Sequence, residues 1–264
     1  MNRFESTFGR LAAANRKALV AYFTAGDPGF DASFAILDAA CRAGVDVLEL
    51  GVPFSDATSD GPVIQAAARR ALDAGMTLEH VLDLAARLRA AHPRTPLVLF
   101  SYYNPLLSFG AGRLGPALTA AGIDGLLIVD LPPEEADELT AVPGGRGLPL
   151  IRLVAPTTPP ARMRTLVADA GGFLYLITRT GVTGAGTLDR DAVARQAAAL
   201  KRLSRLPVCL GFGISTPGDA RVLGPLADGI VIGSAFVTLA HDAGADAPRA
   251  VAGRVAAIRA ALDA

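Results

Sequence analysis

The feature of this sequence that most constrains its fold is a regular alternation of short apolar runs with helical segments rich in alanine and leucine. Short apolar runs bounded by turn residues predict buried strands, and apolar residues at helical spacing predict amphipathic helices. The predicted strands are residues 19–24, 45–50, 97–101, 125–129, 148–154, 173–178, 208–212 and 229–232. Because strands that alternate with helices pair in parallel, the pattern predicts an α/β fold.

The predicted helices between these strands include residues 32–43, 78–91, 134–141, 160–170, 190–203 and 249–262, and a further amphipathic helix covers about residues 4–15. Eight strand-helix units in 264 residues match the size of one closed barrel. We therefore predict a single (β/α)8 TIM barrel with an extra N-terminal helix, in which residues 1–264 form one domain. The alternative is an open doubly wound sheet, but residues 25–29 read Ala-Gly-Asp-Pro-Gly where that fold has G-x-G-x-x-G.

Composition and charge exclude several classes of function. The chain has 25 Lys and Arg against 25 Asp and Glu, so its formal net charge of +0 provides no field for nucleic acid or an anionic membrane. No apolar run approaches the roughly 18 residues of a membrane-spanning helix, and the first apolar run is too short for a secretory signal. We therefore expect a cytoplasmic enzyme or binding protein.

The cysteines and histidines do not have the spacing of a metal site. Cys41 and Cys209 are isolated in apolar segments, which is typical of packing in a reducing compartment. His80, His92 and His241 are scattered, and we expect them at solvent-facing positions of helices. We expect this chain to hold no metal and no cofactor of its own.

Glu49 lies near the end of the second predicted strand, on the same face as Val45 and Val47. A carboxylate among apolar residues is costly to ionise, so we expect its pKa to be raised toward the range useful for proton transfer. The residue is therefore a candidate general acid or base. The alternative is a structural role, in which Glu49 pairs with an arginine and joins two elements.

Asp56 and Asp60 follow in the polar loop after this strand. Pro62 suits the first turn of a helix, so Asp60 stands where an N-cap residue is expected, and capping alone is worth about 1 kcal/mol. The alternative is that Asp60 acts together with Glu49, because two carboxylates at the end of one strand suit paired proton transfer. In a barrel, catalytic groups lie at this carboxyl end of the strands.

Three glycine-bearing turns fall in the last third of the chain, at residues 181–186, 211–213 and 233–235. Each one alone also fits a simple tight turn. Glycine lets the backbone approach a ligand closely, helix N-termini attract anions, and loops after the last two strands of such barrels commonly bind phosphate. Together the turns predict a phosphorylated substrate.

Two further features near these turns have both a functional and a structural interpretation. Residues 179–187 are glycine-rich and long enough to form a mobile lid, or alternatively a flexible surface loop. Tyr175 lies in the middle of a predicted strand, where it either packs in the barrel core or contacts the substrate.

Seven runs of the sequence form a specific pattern. They are Phe-Thr-Ala-Gly-Asp-Pro at 23–28, Leu-Glu-Leu-Gly-Val-Pro-Phe-Ser-Asp at 48–56, Ser-Asp-Gly-Pro at 59–62, Tyr-Tyr-Asn-Pro at 102–105, Asp-Leu-Pro at 130–132, Arg-Thr-Gly-Val-Thr-Gly at 179–184 and Gly-Phe-Gly-Ile-Ser at 211–215. In these runs the chain resembles the alpha subunit family of tryptophan synthase over essentially its whole length. Members of that family are carbon-carbon lyases of tryptophan biosynthesis. It cleaves indole-3-glycerol phosphate to indole and glyceraldehyde 3-phosphate, and passes the indole to a beta subunit that carries pyridoxal phosphate.

The resemblance implies a role for each candidate site residue. Glu49 would be the acid and base at carbon and hydroxyl, Asp60 would accept the ring N–H, and Tyr175 would lie close to the reacting carbons. The implied indole slot is lined by Tyr22, Phe100, Leu127 and Leu153. The implied phosphate site consists of Gly184, Gly213, Gly233 and Ser234.

The resemblance also implies a lid and a partner surface. Arg179 and Thr183 would belong to the lid, with Thr183 reaching toward Asp60 when the lid closes. The partner loop, which comprises Asp56, Ala57 and Thr58, would meet a beta subunit in an α2β2 assembly.

The chain departs from the family pattern at two places. Residues 57–59 read Ala-Thr-Ser where the family usually has Pro-x-Ala. We expect the loss of this proline to affect coupling to the partner more than the chemistry. Tyr22 stands where other members have phenylalanine, and its ring still suits stacking on indole.

Two other functions compete with this interpretation. One is another phosphate-binding barrel, such as an aldose-ketose isomerase, but such enzymes pair aspartates, or an aspartate with a cysteine, and lack the loop that joins Glu49 to Asp60. The other is a non-catalytic regulatory subunit, which would have no use for Glu49, Asp60 and Tyr175.

Overall fold

The computed structural model describes residues 2–140, 147–178 and 189–264. Its strands are β1 (Ala18–Thr24), β2 (Val47–Gly51), β3 (Leu97–Ser101), β4 (Gly125–Ile128), β5 (Arg152–Val154), β6 (Leu174–Ile177), β7 (Val208–Gly211) and β8 (Gly229–Ile232). Its helices are α1 (Arg3–Ala13), α2 (Phe30–Ala43), α3 (Pro62–Asp73), α4 (Leu78–Ala91), α5 (Tyr103–Phe109), α6 (Ala111–Ala121), α7 (Ala136–Thr140), α8 (Pro160–Ala168), α9 (Arg190–Leu203), α10 (Pro217–Leu223), α11 (Ser234–Ala243) and α12 (Ala247–Leu262).

The strands form one parallel sheet that closes on itself. Their order is β4-β3-β2-β1-β8-β7-β6-β5. The two end strands meet at a bridge between Leu126 and Leu150, where the Leu126 N–H donates to the Pro149 carbonyl at 2.9 Å and the Ile151 N–H donates to the Leu126 carbonyl at 2.8 Å. The predicted (β/α)8 barrel is confirmed.

Side chains alternate between the inside of the barrel and the surrounding helices, as the two-residue period of a strand requires. Val20, Val47 and Val98 pack in the interior cluster, whereas Leu48 and Leu50 pack in the outer cluster with the helices. Glu49 lies between Leu48 and Leu50 in sequence and therefore faces inward. This alternation is what places a carboxyl group inside the barrel.

Helix α1 closes the barrel at the amino ends of its strands. The helix begins with a capping box, in which the Glu5 N–H donates to Asn2 Oδ1 at 2.9 Å and the Asn2 N–H donates to Glu5 Oε2 at 3.1 Å. The rings of Phe4 and Phe8 lie 6.2 and 6.0 Å from the ring of Phe173 in the barrel interior. The predicted N-terminal helix is confirmed, and its apolar face seals one end of the barrel.

Three predicted elements differ from those in the structure. The second strand begins at Val47 because Gly44 ends α2 with φ 115°, so Val45 packs in the outer cluster and not on the face of Glu49. The fifth strand is limited to Arg152–Val154, with Leu150 joined only by its bridge. The segment predicted as helix 134–141 starts as a 3-10 turn, Pro133–Glu135, before α7, and residue 141 lies outside the described residues.

The histidines only partly follow the prediction. His80 and His241 are exposed, but His92, at the end of α4, is mostly buried and its Nε2 lies 2.8 Å from Asp38 Oδ1. In the described ranges, no group of three His, Cys, Asp or Glu side chains is placed to hold a metal ion. Within the same ranges, no helix combines the length and apolar character needed to cross a membrane.

Candidate active site

Glu49 is completely buried at the carboxyl end of β2. In the sheet it lies beside Tyr22 of β1 and Val98 of β3, and its exposed fraction is 0%. Neither carboxyl oxygen has a hydrogen-bond partner in the described part of the chain, so the arginine pairing weighed as an alternative is not found there. Burial raises the pKa of Glu49 from 4.5 to about 8. The group is therefore protonated at neutral pH and available as an acid.

Asp60 has a different environment at the end of the same loop. Helix α3 begins at Pro62 with Gly61 as its N-cap residue, so the alternative in which Asp60 caps this helix is not found. Instead, Asp60 Oδ2 accepts a hydrogen bond from the Tyr102 hydroxyl at 3.2 Å. Burial raises the pKa of Asp60 to about 6, and the bond from Tyr102 acts in the opposite direction. At neutral pH this carboxyl is mostly ionised and able to accept a proton.

Two tyrosines lie close enough to these carboxyl groups to respond to their charge. Burial raises the pKa of both Tyr22 and Tyr175, and the charges of Glu49 and Asp60 raise them further. The predicted catalytic residues Glu49, Asp60 and Tyr175 are thus brought together at one end of the barrel. An acid and a base with separated pKa values are what proton transfer at neutral pH requires.

Glycines at the ends of two strands make room for these tyrosines. A Cβ atom on Gly51 would lie 2.2 Å from the Tyr22 hydroxyl oxygen, and one on Gly211 would lie 2.3 Å from Cε1 of Tyr175. Both distances are far shorter than any real carbon contact. Glycine is therefore required at both positions if the tyrosine rings are to reach into the mouth of the barrel.

The four residues predicted to line an indole slot are adjacent in the structure. The rings of Tyr22 and Phe100 pack edge to face, with centroids 5.0 Å apart. Phe100 also packs against the interior cluster that contains Leu127, and Leu153 packs against the same cluster. Of these residues, Tyr22 lies beside Glu49 in the sheet.

The described phosphate candidates lie on the loops that follow β7 and β8. Gly213 has φ 76°, directly after Phe212 with φ 72°, and both are exposed. Gly233 precedes the first residue of α11, the exposed Ser234. A Cβ atom on Gly233 would lie 3.4 Å from Cβ of Tyr22, so this turn borders the predicted indole slot. Gly184, Arg179 and Thr183 lie outside the described residues.

The partner loop exposes only some of its residues. Asp56 and Thr58 are exposed, whereas Ala57 is buried. The Ala57 carbonyl accepts hydrogen bonds from the Asp60 N–H and from Nε2 of Gln65, both at 3.1 Å. The side chain of Ala57 therefore packs against its own domain, in contrast to the expectation that all three residues meet a partner.

Two residues of this site, Tyr102 and Phe212, had no predicted role. Tyr102 bonds to Asp60, and Phe212 packs its partly exposed ring 5.9 Å from that of Tyr175. Both belong to runs that carried the family resemblance and both directly follow a strand. Their position after a strand was the available signal, but their partners lie elsewhere in the chain, Asp60 in the loop after β2 and Tyr175 in β6.

A groove of about 830 Å³ lies at the opposite end of the barrel, between α1 and residues 204–207. It contains none of the predicted site residues. The two carboxyl groups whose pKa values are strongly raised, Glu49 and Asp60, lie at the other end. The candidate active site is therefore the end of the barrel that holds these two carboxyl groups, although a large groove lies at the opposite end.

Comparison with known sequences identifies the family. Residues 8–263 match the family described as "Tryptophan synthase alpha chain". The chain belongs to the tryptophan synthase alpha chain family. It is a lyase of tryptophan biosynthesis, and its alpha reaction cleaves indole-3-glycerol phosphate to indole and glyceraldehyde 3-phosphate.

Individual members of the tryptophan synthase alpha chain family are similar over nearly their full length. The alpha chain of Desulfosudis oleivorans is 51% identical over 242 residues, which cover 92% of this chain and 91% of that protein. The alpha chain of Laribacter hongkongensis is 48% identical over 264 residues and 100% of both chains. The crystal structure of tryptophan synthase subunit alpha from Legionella pneumophila superposes with a TM-score of 0.91 at 36% identity, covering 100% of this chain and 99% of that one.

The buried acid of this tryptophan synthase alpha chain predicts a pH-dependent stability. Between pH 4.5 and about 8, Glu49 has lost its proton in the unfolded chain but keeps it in the folded one. The contribution of this group to the free energy of unfolding therefore falls as pH rises through that window. Glu49→Gln should be more stable than the parent by a few kcal/mol at pH 9 and much less so at pH 5.

Urea denaturation at both pH values measures the effect. Glu135→Gln, at an exposed glutamate, is the matched control and should leave the difference between the two pH values unchanged. A Glu49→Gln gain that is equal at pH 5 and pH 9 would show that Glu49 is not desolvated in the folded protein.

Proposed function

We propose that Glu49 and Asp60 carry the alpha reaction as an acid and a base held in separate environments. The observation that supports this most directly is the unpartnered, fully buried carboxyl of Glu49 at the carboxyl end of β2. Asp60 lies in the loop after the same strand, partly exposed and bonded to a hydroxyl. The two groups therefore differ in protonation state at neutral pH, so Glu49 can act as the acid and Asp60 as the base.

The first step activates the indole ring. Protonated Glu49 donates its proton to C3 of the ring, which places positive charge on the ring nitrogen. The Asp60 carboxylate accepts a hydrogen bond from the ring N–H and stabilises this charge. Because Glu49 is excluded from water, its proton is transferred to the substrate without competition from solvent.

The second step breaks the carbon-carbon bond. Glu49, now a carboxylate, removes the proton from the glycerol hydroxyl next to the ring. The electron pair of the O–H bond forms the aldehyde C=O, and the pair of the broken carbon-carbon bond returns to the ring. Indole and glyceraldehyde 3-phosphate result, and Glu49 is again protonated, so the proton has moved from hydroxyl to C3.

Binding of the substrate is divided between two parts of the mouth. We assign the ring to the slot formed by Tyr22, Phe100, Leu127 and Leu153, with Tyr175 close to the reacting carbons. We assign the phosphate to the turns at Gly213, Gly233 and Ser234, where backbone amides and the start of α11 attract an anion. Gly184 in the phosphate site and the lid residues Arg179 and Thr183 remain predictions from the sequence.

We further propose that the chain acts as one domain in the cytoplasm with a beta subunit, in an α2β2 assembly. The beta subunit would carry pyridoxal phosphate, and this chain would hold no cofactor. Indole is small and apolar, so a partner docked over the mouth would keep it from escaping. Asp56 and Thr58 are exposed beside the mouth and form the proposed contact, which Ala57 would influence through the stiffness of the loop.

Substitution of the buried acid tests the chemical assignment. Glu49→Gln keeps the shape of the side chain but cannot transfer a proton, so indole release from indole-3-glycerol phosphate should fall by about 10²- to 10⁴-fold. Binding of glycerol 3-phosphate should be retained, and Glu135→Gln should release indole at the parent rate. Activity of Glu49→Gln within about tenfold of the parent would remove Glu49 from the proton-transfer role.

A pair of substitutions at Gly213 tests the phosphate assignment. Gly213→Ala and Gly213→Asp both place a side chain on a residue with φ 76°, so they share the same backbone strain. Only the aspartate adds negative charge, and it should weaken glycerol 3-phosphate binding about tenfold or more beyond the alanine variant. Calorimetry measures both affinities. Equal affinities would place the phosphate away from this turn.

Substitutions that change the stiffness of the loop at Ala57 test the assignment of the partner contact. The Ala57 N–H makes no hydrogen bond within the described residues, so Ala57→Pro removes none. A stiffer free loop should tighten association with the beta subunit by about two- to fivefold, and Ala57→Gly should weaken it by a similar factor. Titration with the beta subunit, followed by indole release, measures both. If neither substitution changes the affinity, loop stiffness does not control coupling.

A further inference from the structure

Tyr102 connects two parts of the loop that carries Asp60. Its buried hydroxyl accepts a hydrogen bond from the Ser59 N–H at 2.9 Å and donates one to Asp60 Oδ2 at 3.2 Å. Its ring also lies against that of Phe54, with centroids 5.4 Å apart and an interplanar angle of 39°. A single side chain at the end of β3 thus contacts both the beginning and the end of the loop after β2.

The backbone and the side chain of Asp60 are fixed by different residues. Gln65 of α3 donates from Nε2 to the Asp60 carbonyl at 2.9 Å and to the Ala57 carbonyl at 3.1 Å, and so holds the backbone of the loop. Within the described ranges, the hydrogen bond to the Asp60 carboxylate comes from Tyr102. Loss of the Tyr102 hydroxyl would therefore release the carboxylate and the Ser59 N–H, while Gln65 still holds the Ala57 and Asp60 carbonyls.

The electrostatics of the cluster agree with this division. Burial raises the pKa of Asp60 and the hydrogen bond from Tyr102 lowers it, because a donor stabilises the ionised carboxylate. Burial and the charge of Asp60 raise the pKa of Tyr102 to about 12, so the hydroxyl keeps the proton that it donates.

Other titratable groups face the same space without bonding to Asp60. Tyr22 on β1 and Tyr175 on β6 respond to the charges of Asp60 and of Glu49 on β2. Among the described residues, the hydrogen bond of Tyr22 is a 3.5 Å contact with Thr24 Oγ1. Neither tyrosine contributes to the pKa shift of Asp60, and Tyr102 is the one in direct contact with the carboxylate.

We propose that Tyr102 is a positioning residue for the alpha reaction, whose hydroxyl holds the Asp60 carboxylate in one orientation and in its ionised form. The proposal rests on the proposed role of Asp60 as acceptor of the ring N–H. An ionised carboxylate held by one oxygen leaves its other oxygen free for the substrate. Tyr102 thus prepares the acceptor before the substrate binds.

The test removes the hydroxyl and keeps the ring. Tyr102→Phe retains the packing against Phe54 but leaves Asp60 without its donor. The titration midpoint of the Asp60 carboxyl, followed by carbon-13 NMR, should move to higher pH. The acid limb of the kcat/KM profile for indole release should move in the same direction, and kcat/KM at pH 7 should fall about tenfold. A role in packing alone would change neither the midpoint nor the acid limb.

Two further variants make the test specific. Tyr22→Phe is the matched control, because it removes another buried hydroxyl that faces Asp60 without bonding to it, and it should leave the Asp60 midpoint unchanged. Replacement of Tyr102 by 3-fluorotyrosine supplies a more acidic phenol and a stronger donor, so the midpoint should move to lower pH. This variant retains the hydroxyl and decides the matter if Tyr102→Phe does not fold.

Each outcome has a definite meaning. An unchanged Asp60 midpoint in the Tyr102 variants, or an equal shift in Tyr22→Phe, overturns the proposal. A parent protein that releases no indole contradicts the proposed function, while the NMR titration still decides whether Tyr102 controls Asp60. If the Asp60 midpoint moves but the acid limb of the kcat/KM profile does not, Asp60 has no role in the reaction. Tyr102 then has no positioning role either.

Discussion

The constraint on which this site depends is the complete burial of the Glu49 carboxyl. The side chain is buried at the carboxyl end of β2, and in the described part of the chain its oxygens have no hydrogen-bond partner. The fold tolerates this group because the carboxyl is protonated and therefore neutral. A buried neutral carboxyl costs much less free energy than a buried carboxylate. The same exclusion of water that makes the group costly also makes it a usable acid at neutral pH. The apolar interior that stabilises the barrel therefore also tunes its chemistry.

The two carboxyl groups acquire different pKa values from their surroundings. The pKa of Glu49 is raised by burial, and that of Asp60 by burial opposed by the Tyr102 hydroxyl. Neither shift has the charge of the other carboxyl among its causes. Two groups in contact would titrate as a coupled pair, whereas these are governed locally. A substitution beside one of them is thus expected to act on that group alone, which gives the site two independently adjustable parts.

Much of the fold could be predicted from sequence because its signals are local. Alternating apolar runs and helical segments predicted the barrel, and the position of Glu49 on a strand predicted a buried carboxyl. The position of Pro62 in the first turn of α3 was predicted, but the N-cap is Gly61 and not Asp60, and glycine has no side chain that would mark a cap. The orientation of Ala57 and the bond from Tyr102 to Asp60 depend on contacts between segments that are distant in sequence. Local patterns contain no information about such contacts.

The seal formed by α1 has a consequence for the order in which the chain acquires its structure. Phe4 and Phe8 pack against Phe173, which belongs to a much later part of the chain. During synthesis the apolar face of α1 therefore cannot complete its packing until Phe173 has been made, although the helix itself is stabilised locally by its capping box. Until then this face remains available to chaperones. Full docking of α1 thus requires the segment at Phe173, and protection of its amides from hydrogen exchange would report when that segment has joined the barrel during folding.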